Sequence, residues 1–175
     1  MTSTARPGPR IALDRVSGGL PGAFWRLWVA TGASNLADGI VWLLIPVLAV
    51  QLGAGPGELA LVTIAERGPM LVLGLLAGGL ADRHDRRLTM LAVQALRVVA
   101  ALGLLAVAFA GSLTIPALIV AALLLGTGEV FFDTNAQALV AALVRPERLV
   151  PANARLDAIT TIANTFVGPP LGGVL

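Results

Sequence analysis

Asp38 lies about halfway along a long apolar run, beside Asn35, and Glu129 lies in the lower half of another run, just after Gly126 and Gly128. An ionisable group in hydrocarbon costs roughly 2.5 kcal/mol or more, so each of these acids needs a compensating role. A carboxyl in such surroundings can exchange a proton near neutral pH, which makes Asp38, Asn35 and Glu129 a candidate proton or cation site. The competing role is structural: either acid could pair with Arg97, because buried acids in membranes are usually paired. Arg97 itself is about two turns into its own run, and its long stem favours snorkelling to the nearer interface. Glu66 and Arg67 are adjacent and so point to helix faces about 100° apart, too divergent to pair well with each other. Glu66 falls in the outer part of its run and is expected to face water, as a further member of the candidate site.

The rest of the composition removes other chemistries. The chain has no Cys, so no disulfide framework or thiolate metal site can form, and the single His84 cannot build a histidine-rich metal centre. All 12 basic residues are Arg; without Lys there is no Walker A lysine and no ordinary nucleotide-hydrolysing motor. Neither a metal nor a cofactor is expected, and the chain does not read as an enzyme. The arginines sit between apolar runs rather than on one folded face, so nucleic acid is not an expected partner despite the pI of about 11.0.

What must position these residues is a set of membrane helices. Of the 175 residues, 57% are hydrophobic and 13% charged, with a mean hydropathy of +0.86, more apolar surface than a small globular core can hide. Spans of about 20 apolar residues are expected at about 27–52, 59–81, 88–110, 113–133 and 156–175. The mixed stretch from Asp133 to Arg155 reads as the fourth helix leaving the membrane and leading into a short cytoplasmic segment. Residues 1–22 read as a flexible cytoplasmic tail and 23–175 as the bundle. Arginines crowd the tail, the loop holding Arg83, Arg86 and Arg87, and the segment holding Arg145, Arg148 and Arg155; the turns at Gly53–Gly57 and Gly111–Ser112 hold none. By the positive-inside rule the N-terminus is cytoplasmic. Trp25 and Trp28 suit interface anchors, whereas Trp42 lies deeper. A fifth span that closes at Leu175 reads as a truncated half-bundle.

The loop Gly78-Gly79-Leu80-Ala81-Asp82-Arg83-His84-Asp85-Arg86-Arg87 resembles the signature of the major facilitator superfamily between its second and third helices. The resemblance implies a conformational latch made by Gly78, Asp82, Arg83, Arg86 and Arg87, with an acid at the end of the fourth helix, Asp133, bonding Arg86 as a charge relay. A glycine at position 78 lets a neighbouring helix approach closely, Asp82 is expected to cap a helix end, and the arginines would meet anionic headgroups. Asp85 stands where the family usually has Gly at a position that often needs φ > 0, which Asp tolerates better than most residues. The plainer reading of the loop is a solvated topology signal.

A second stretch, Asn164-Thr165-Phe166-Val167-Gly168-Pro169-Pro170-Leu171-Gly172-Gly173, resembles the antiporter motif of the same superfamily, with Asn164 in place of its first Gly. Gly168, Gly172 and Gly173 permit close helix contact, while Pro169 and Pro170 remove hydrogen bonds and bend the helix. A generic small-residue packing face is the alternative. The run from Phe131 to Gly168-Pro169 further resembles the bacterial branch that holds the enterobactin exporter and multidrug efflux proteins.

These resemblances imply an all-α, multi-pass transmembrane helical bundle, five spans of a six-helix N-terminal half, in which the first and fourth helices line the central cavity. They imply a secondary transporter of the bacterial inner membrane that exports small molecules against protons. Its expected partners are the substrate, protons, membrane lipids and the C-terminal half of the same protein. An uptake symporter and a non-transporting remnant are the alternatives.

Overall fold

The computed structural model describes residues 19–81 and 85–174, without the side-chain surroundings of 75–81. Those residues are all-α, with no strand among them: α1 Gly22–Gln51, α2 Pro56–Ala81, α3 Arg86–Phe109, α4 Ile115–Leu143, a 3₁₀ turn Pro146–Arg148, then α5 Leu149–Thr161. A π-helical stretch, Ile162–Val167, carries α5 directly into α6, Gly168–Val174, so that these three segments form one rod. Among the described residues, α1, α3 and α4 are long and apolar enough to cross a membrane. α2 has comparable length, 26 residues, with Glu58, Glu66 and Arg67 in its first half and an apolar second half, and the fifth rod is divided by its π-helical stretch.

The uncharged turns close by the same device. Leu52 ends α1, Gly53 adopts φ +79°, and Gly53 and Ala54 donate to the carbonyls of Val50 and Ala49. At the end of α3, Gly111 adopts φ +67°, and Gly111 and Ser112 donate to Ala108 and Val107. Both are Schellman closures, which need a left-handed residue after the cap. At the other end of the bundle, Asp85 starts α3 at φ −63°, and its Oδ1 accepts from the backbone N–H groups of Arg87 (2.9 Å) and Leu88 (3.0 Å). The expectation that position 85 calls for positive φ is therefore wrong: Asp85 is an N-cap, a role that suits Asp because its carboxylate satisfies donors the first helical turn leaves open.

The fourth helix runs to Leu143, ten residues past the place, 133, where its membrane span is expected to end, because its polar residues do not interrupt the helix. Asn135 donates to the carbonyl of Phe131 (2.8 Å), while Ala136 and Val140 continue the buried face. Only the short Val144–Arg148 link separates it from α5.

Apolar packing forms two clusters, one near each end. Phe24, Leu27, Met90, Phe132, Val140 and Leu156 belong to the cluster at the end where α3 begins. Ile45, Ala49, Val62, Leu118, Ala122 and Leu125 belong to the other. On α1 the buried residues between these clusters are Thr31, Gly32, Ser34, Asn35, Asp38 and Gly39. A polar layer therefore crosses the middle of the bundle, between the two apolar clusters.

Candidate functional site

Arg97 anchors the polar layer. Its side chain is 5% exposed, one Nη donates to Ser34 Oγ (2.7 Å) and Gln94 Oε1 (3.2 Å), and the other is ion-paired with Asp38 Oδ1. The expected snorkelling does not occur, because Ser34 and Asp38 on α1 and Gln94 on α3 offer three acceptors within the layer that compensate burial better than a reach of two turns to the interface. Room for the stem comes from α4: a Cβ on Gly128 would lie 2.5 Å from both Cγ and Cδ of Arg97. Gly128, which sequence reading had attached to Glu129, is in fact the partner of Arg97. Of the two candidate acids, Asp38 is the one that Arg97 takes.

Glu129 belongs to a different branch of the layer. Asn164, inside the π-helical stretch, donates from Nδ2 to Glu129 Oε1 (3.3 Å) and, at a longer 3.5 Å, to Asn35 Oδ1. Asn35 in turn donates to its own helix at the Thr31 carbonyl (3.1 Å) and to Asp133 Oδ1 (3.2 Å). One asparagine on α1 and one on the fifth rod thus link both half-buried acids of α4, which are four residues apart and share a helix face. Asp133 does not bond Arg86. Its described partner is Asn35, while Arg86 donates to the Ala138 carbonyl (3.0 Å).

Glu66 is only 8% exposed and does not face open water; its Oε2 has no hydrogen-bond partner among the described residues. Adjacent Arg67 turns away, as expected, and stacks on the Trp42 ring with its guanidinium carbon 3.8 Å from the centroid. Glu66, Arg67, Gly126, Glu129, Asp133 and Gln137 line a cavity of about 300 Å³ between α2 and α4. A narrow crevice shares Glu66, Arg67, Gly126 and Glu129 with that cavity and runs inward to Asp38 and Asn164. The cavity wall thus carries three carboxyls and one guanidinium, backed by the amide chain through Asn35 and Asn164.

The second motif is placed as a packing seam. A Cβ on Gly39 would lie 2.4 Å from the Asn164 carbonyl oxygen, and one on Gly172 would lie 2.5 Å from that of Ile40. Gly168 is buried against Gly39, and Gly173 sits beside Leu43. Pro169 and Pro170 follow directly on the π-helical stretch. Their rings would collide with carbonyls one turn back in a regular helix, and the backbone widens instead, with the Gly168 N–H reaching the Ala163 carbonyl five residues earlier. Of the first motif, Asp82 and Arg83 lie outside the described residues, as do the surroundings of Gly78; Arg87 lies exposed in the first turn of α3.

Sequence reading missed Ser34 and Gln94 as partners of Arg97. Gln94 could have been found, since it precedes Arg97 by three residues on the same face; Ser34 carried no signal beyond lying near Asp38.

A family model described as transmembrane secretion effector matches residues 20–175. No curated protein and no solved structure matches the chain. With a helical bundle, a polar layer at mid-depth and a family match over nearly its whole length, the chain belongs to the transmembrane secretion effector family, a family of transporters of the major facilitator type.

Proposed function

We propose that the protein is a secondary active exporter that releases small cationic or amphiphilic molecules in exchange for protons, with its N-terminus on the cytoplasmic side of a bacterial inner membrane. The observation that carries this reading is the bonded chain Asp133–Asn35–Asn164–Glu129, which borders a cavity bearing three carboxyls. A carboxylate holds an amide N–H more strongly than a neutral acid does. A proton arriving at Glu129 weakens its bond from Asn164 and loosens the fifth rod from α4; a cation in the cavity favours the ionised acids. Proton and substrate thereby compete for the same carboxyls, which is the linkage an antiporter needs. Asp38 is assigned a structural role, because Arg97 already neutralises it. The secretion named in the family description supports export over uptake.

The test uses inverted membrane vesicles with an imposed proton gradient and a panel of cationic, neutral and anionic dyes. Cationic dyes should collapse the gradient in vesicles holding the protein, and Glu129→Gln should abolish that response while leaving the amount of inserted protein unchanged. A full response from Glu129→Gln would remove this acid from coupling.

A further inference from the structure

A second cavity, of about 400 Å³, lies apart from the polar layer, at the end of the bundle where α1 and α3 begin and α4 ends. Its walls are apolar, formed by Leu27, Met90, Leu139 and Leu143, and Arg26 and Arg87 stand among them. Both arginines are exposed, and neither guanidinium has a partner among the described residues. Arg26 falls in the second turn of α1 and Arg87 in the first turn of α3, so two unneutralised cations stand at one level of the bundle. Trp25 and Trp28 pack against the same apolar cluster as Met90, Leu139 and Leu143, and tryptophans at a helix end mark the headgroup depth. From Ala23 to Ala30 the groove follows α1 for roughly 10 Å at about 1.5 Å per residue, enough to take a glycerol backbone and the first methylenes of an acyl chain.

We infer that this groove is a binding site for one anionic diacyl phospholipid, its phosphate between Arg26 and Arg87 and its chain along Leu27, Met90, Leu139 and Leu143. Charge selects the headgroup, since a guanidinium fork matches phosphate, and the apolar wall selects a lipid over a soluble phosphate. A zwitterionic lipid carries its own cation and gains little from the pair. The two arginines together give roughly a 25-fold preference, about fivefold for each.

The test is tryptophan quenching by lipids with brominated acyl chains, added to the detergent-solubilised full chain. Brominated phosphatidylglycerol should quench at a roughly 25-fold lower lipid fraction than brominated phosphatidylcholine. The double variant Arg26→Gln, Arg87→Gln should bring the two lipids within about threefold of each other. Ala30→Phe, which fills the groove from an exposed position and keeps both arginines, should lose the preference too. Arg145→Gln, exposed and outside the groove, should keep it. Retention of the preference in the double variant overturns the site. Equal loss in Arg145→Gln overturns it in favour of diffuse charge, and displacement of the lipid by inorganic phosphate overturns the apolar half of the assignment.

Discussion

Replacing Gly128 by Ala should destabilise the protein, although the same change in a helix usually helps. In an open helical position Ala is favoured over Gly by about 0.5–1 kcal/mol, through the entropy of the unfolded chain. At position 128 the new Cβ would stand 2.5 Å from Arg97 Cγ and Cδ, against about 3.5–4.0 Å for carbons in comfortable contact. A free arginine stem would swing aside. This one is pinned beyond the overlap by Asp38, Ser34 and Gln94, so either α3 and α4 separate or the bonds loosen. Overpacking of this kind costs about 1–3 kcal/mol, and complete loss of the ion pair sets a ceiling of about 5 kcal/mol. After subtracting the helix-propensity gain, Gly128→Ala should cost about 1–2 kcal/mol. The assay is reversible unfolding of the purified protein by titration with sodium dodecyl sulfate in mixed micelles. Gly103→Ala on α3, where nothing lies within 4 Å of the new carbon, is the control and should be neutral or stabilising. In a background carrying Asp38→Asn and Arg97→Ala, which leaves no Cγ or Cδ at position 97, Gly128→Ala should lose its penalty. An equal penalty in both backgrounds would refute the idea that Arg97 occupies the space Gly128 leaves.

Other consequences can be measured in the same preparations. Asp85→Ala should cost about 1 kcal/mol through loss of the α3 cap, with Asp85→Asn nearly neutral; equal losses in the two variants would show that charge, not capping, matters. Asn164→Ala removes two long hydrogen bonds and should cost about 1–3 kcal/mol while uncoupling cation-driven proton release; unchanged coupling in vesicles would leave Asn164 as packing alone. Single cysteines at Gly55 and Ser112 should react with an impermeant thiol reagent on intact cells and one at His84 should not, the reverse pattern contradicting a cytoplasmic N-terminus.

The apolar runs and the two uncharged turns were legible in the sequence because hydrophobic length and glycine after an apolar run report local physics. The spans at 27–52, 59–81 and 88–110 fall within a few residues of α1, α2 and α3. The continuation of the fourth helix to Leu143 was not legible, because Asp133, Asn135 and Gln137 read as an exit from the membrane; within the fold Asp133 accepts from Asn35, and Asn135 donates to its own helix. Asp38, Glu66, Glu129 and Arg97 stood out as candidates because any charge in an apolar run is conspicuous, and Asn35 because it lies beside Asp38; Arg97 was expected at the interface and Glu66 facing water, not in one buried layer. Which charge meets which was not legible. Pairing depends on how helices rotate against each other, and that is set by contacts such as Gly126 on the Glu66 backbone and Gly128 on Arg97. Asn164 stood out only as a departure from a motif; its reach to Glu129 follows from the widened turn, which no local pattern announced.

That widened turn has a consequence for how the gene can change length. The buried residues of the fifth rod run Ala152, Leu156, Ala163, Gly168 and Gly172. Every step fits a regular seam of threes and fours except the step of five from Ala163 to Gly168. One residue between them is surplus to the seam. Losing a codon within 164–167 would let the backbone close into an ordinary helix with the seam in frame at both ends. Losing a codon at Asp157 or Ala158 would instead turn everything beyond it by about 100° and bring Asn164, Pro169 and Gly173 to the buried places of Ala163, Gly168 and Gly172. The rod therefore has one short window in which its reading frame of contacts tolerates a deletion, and that window coincides with the segment that carries Asn164.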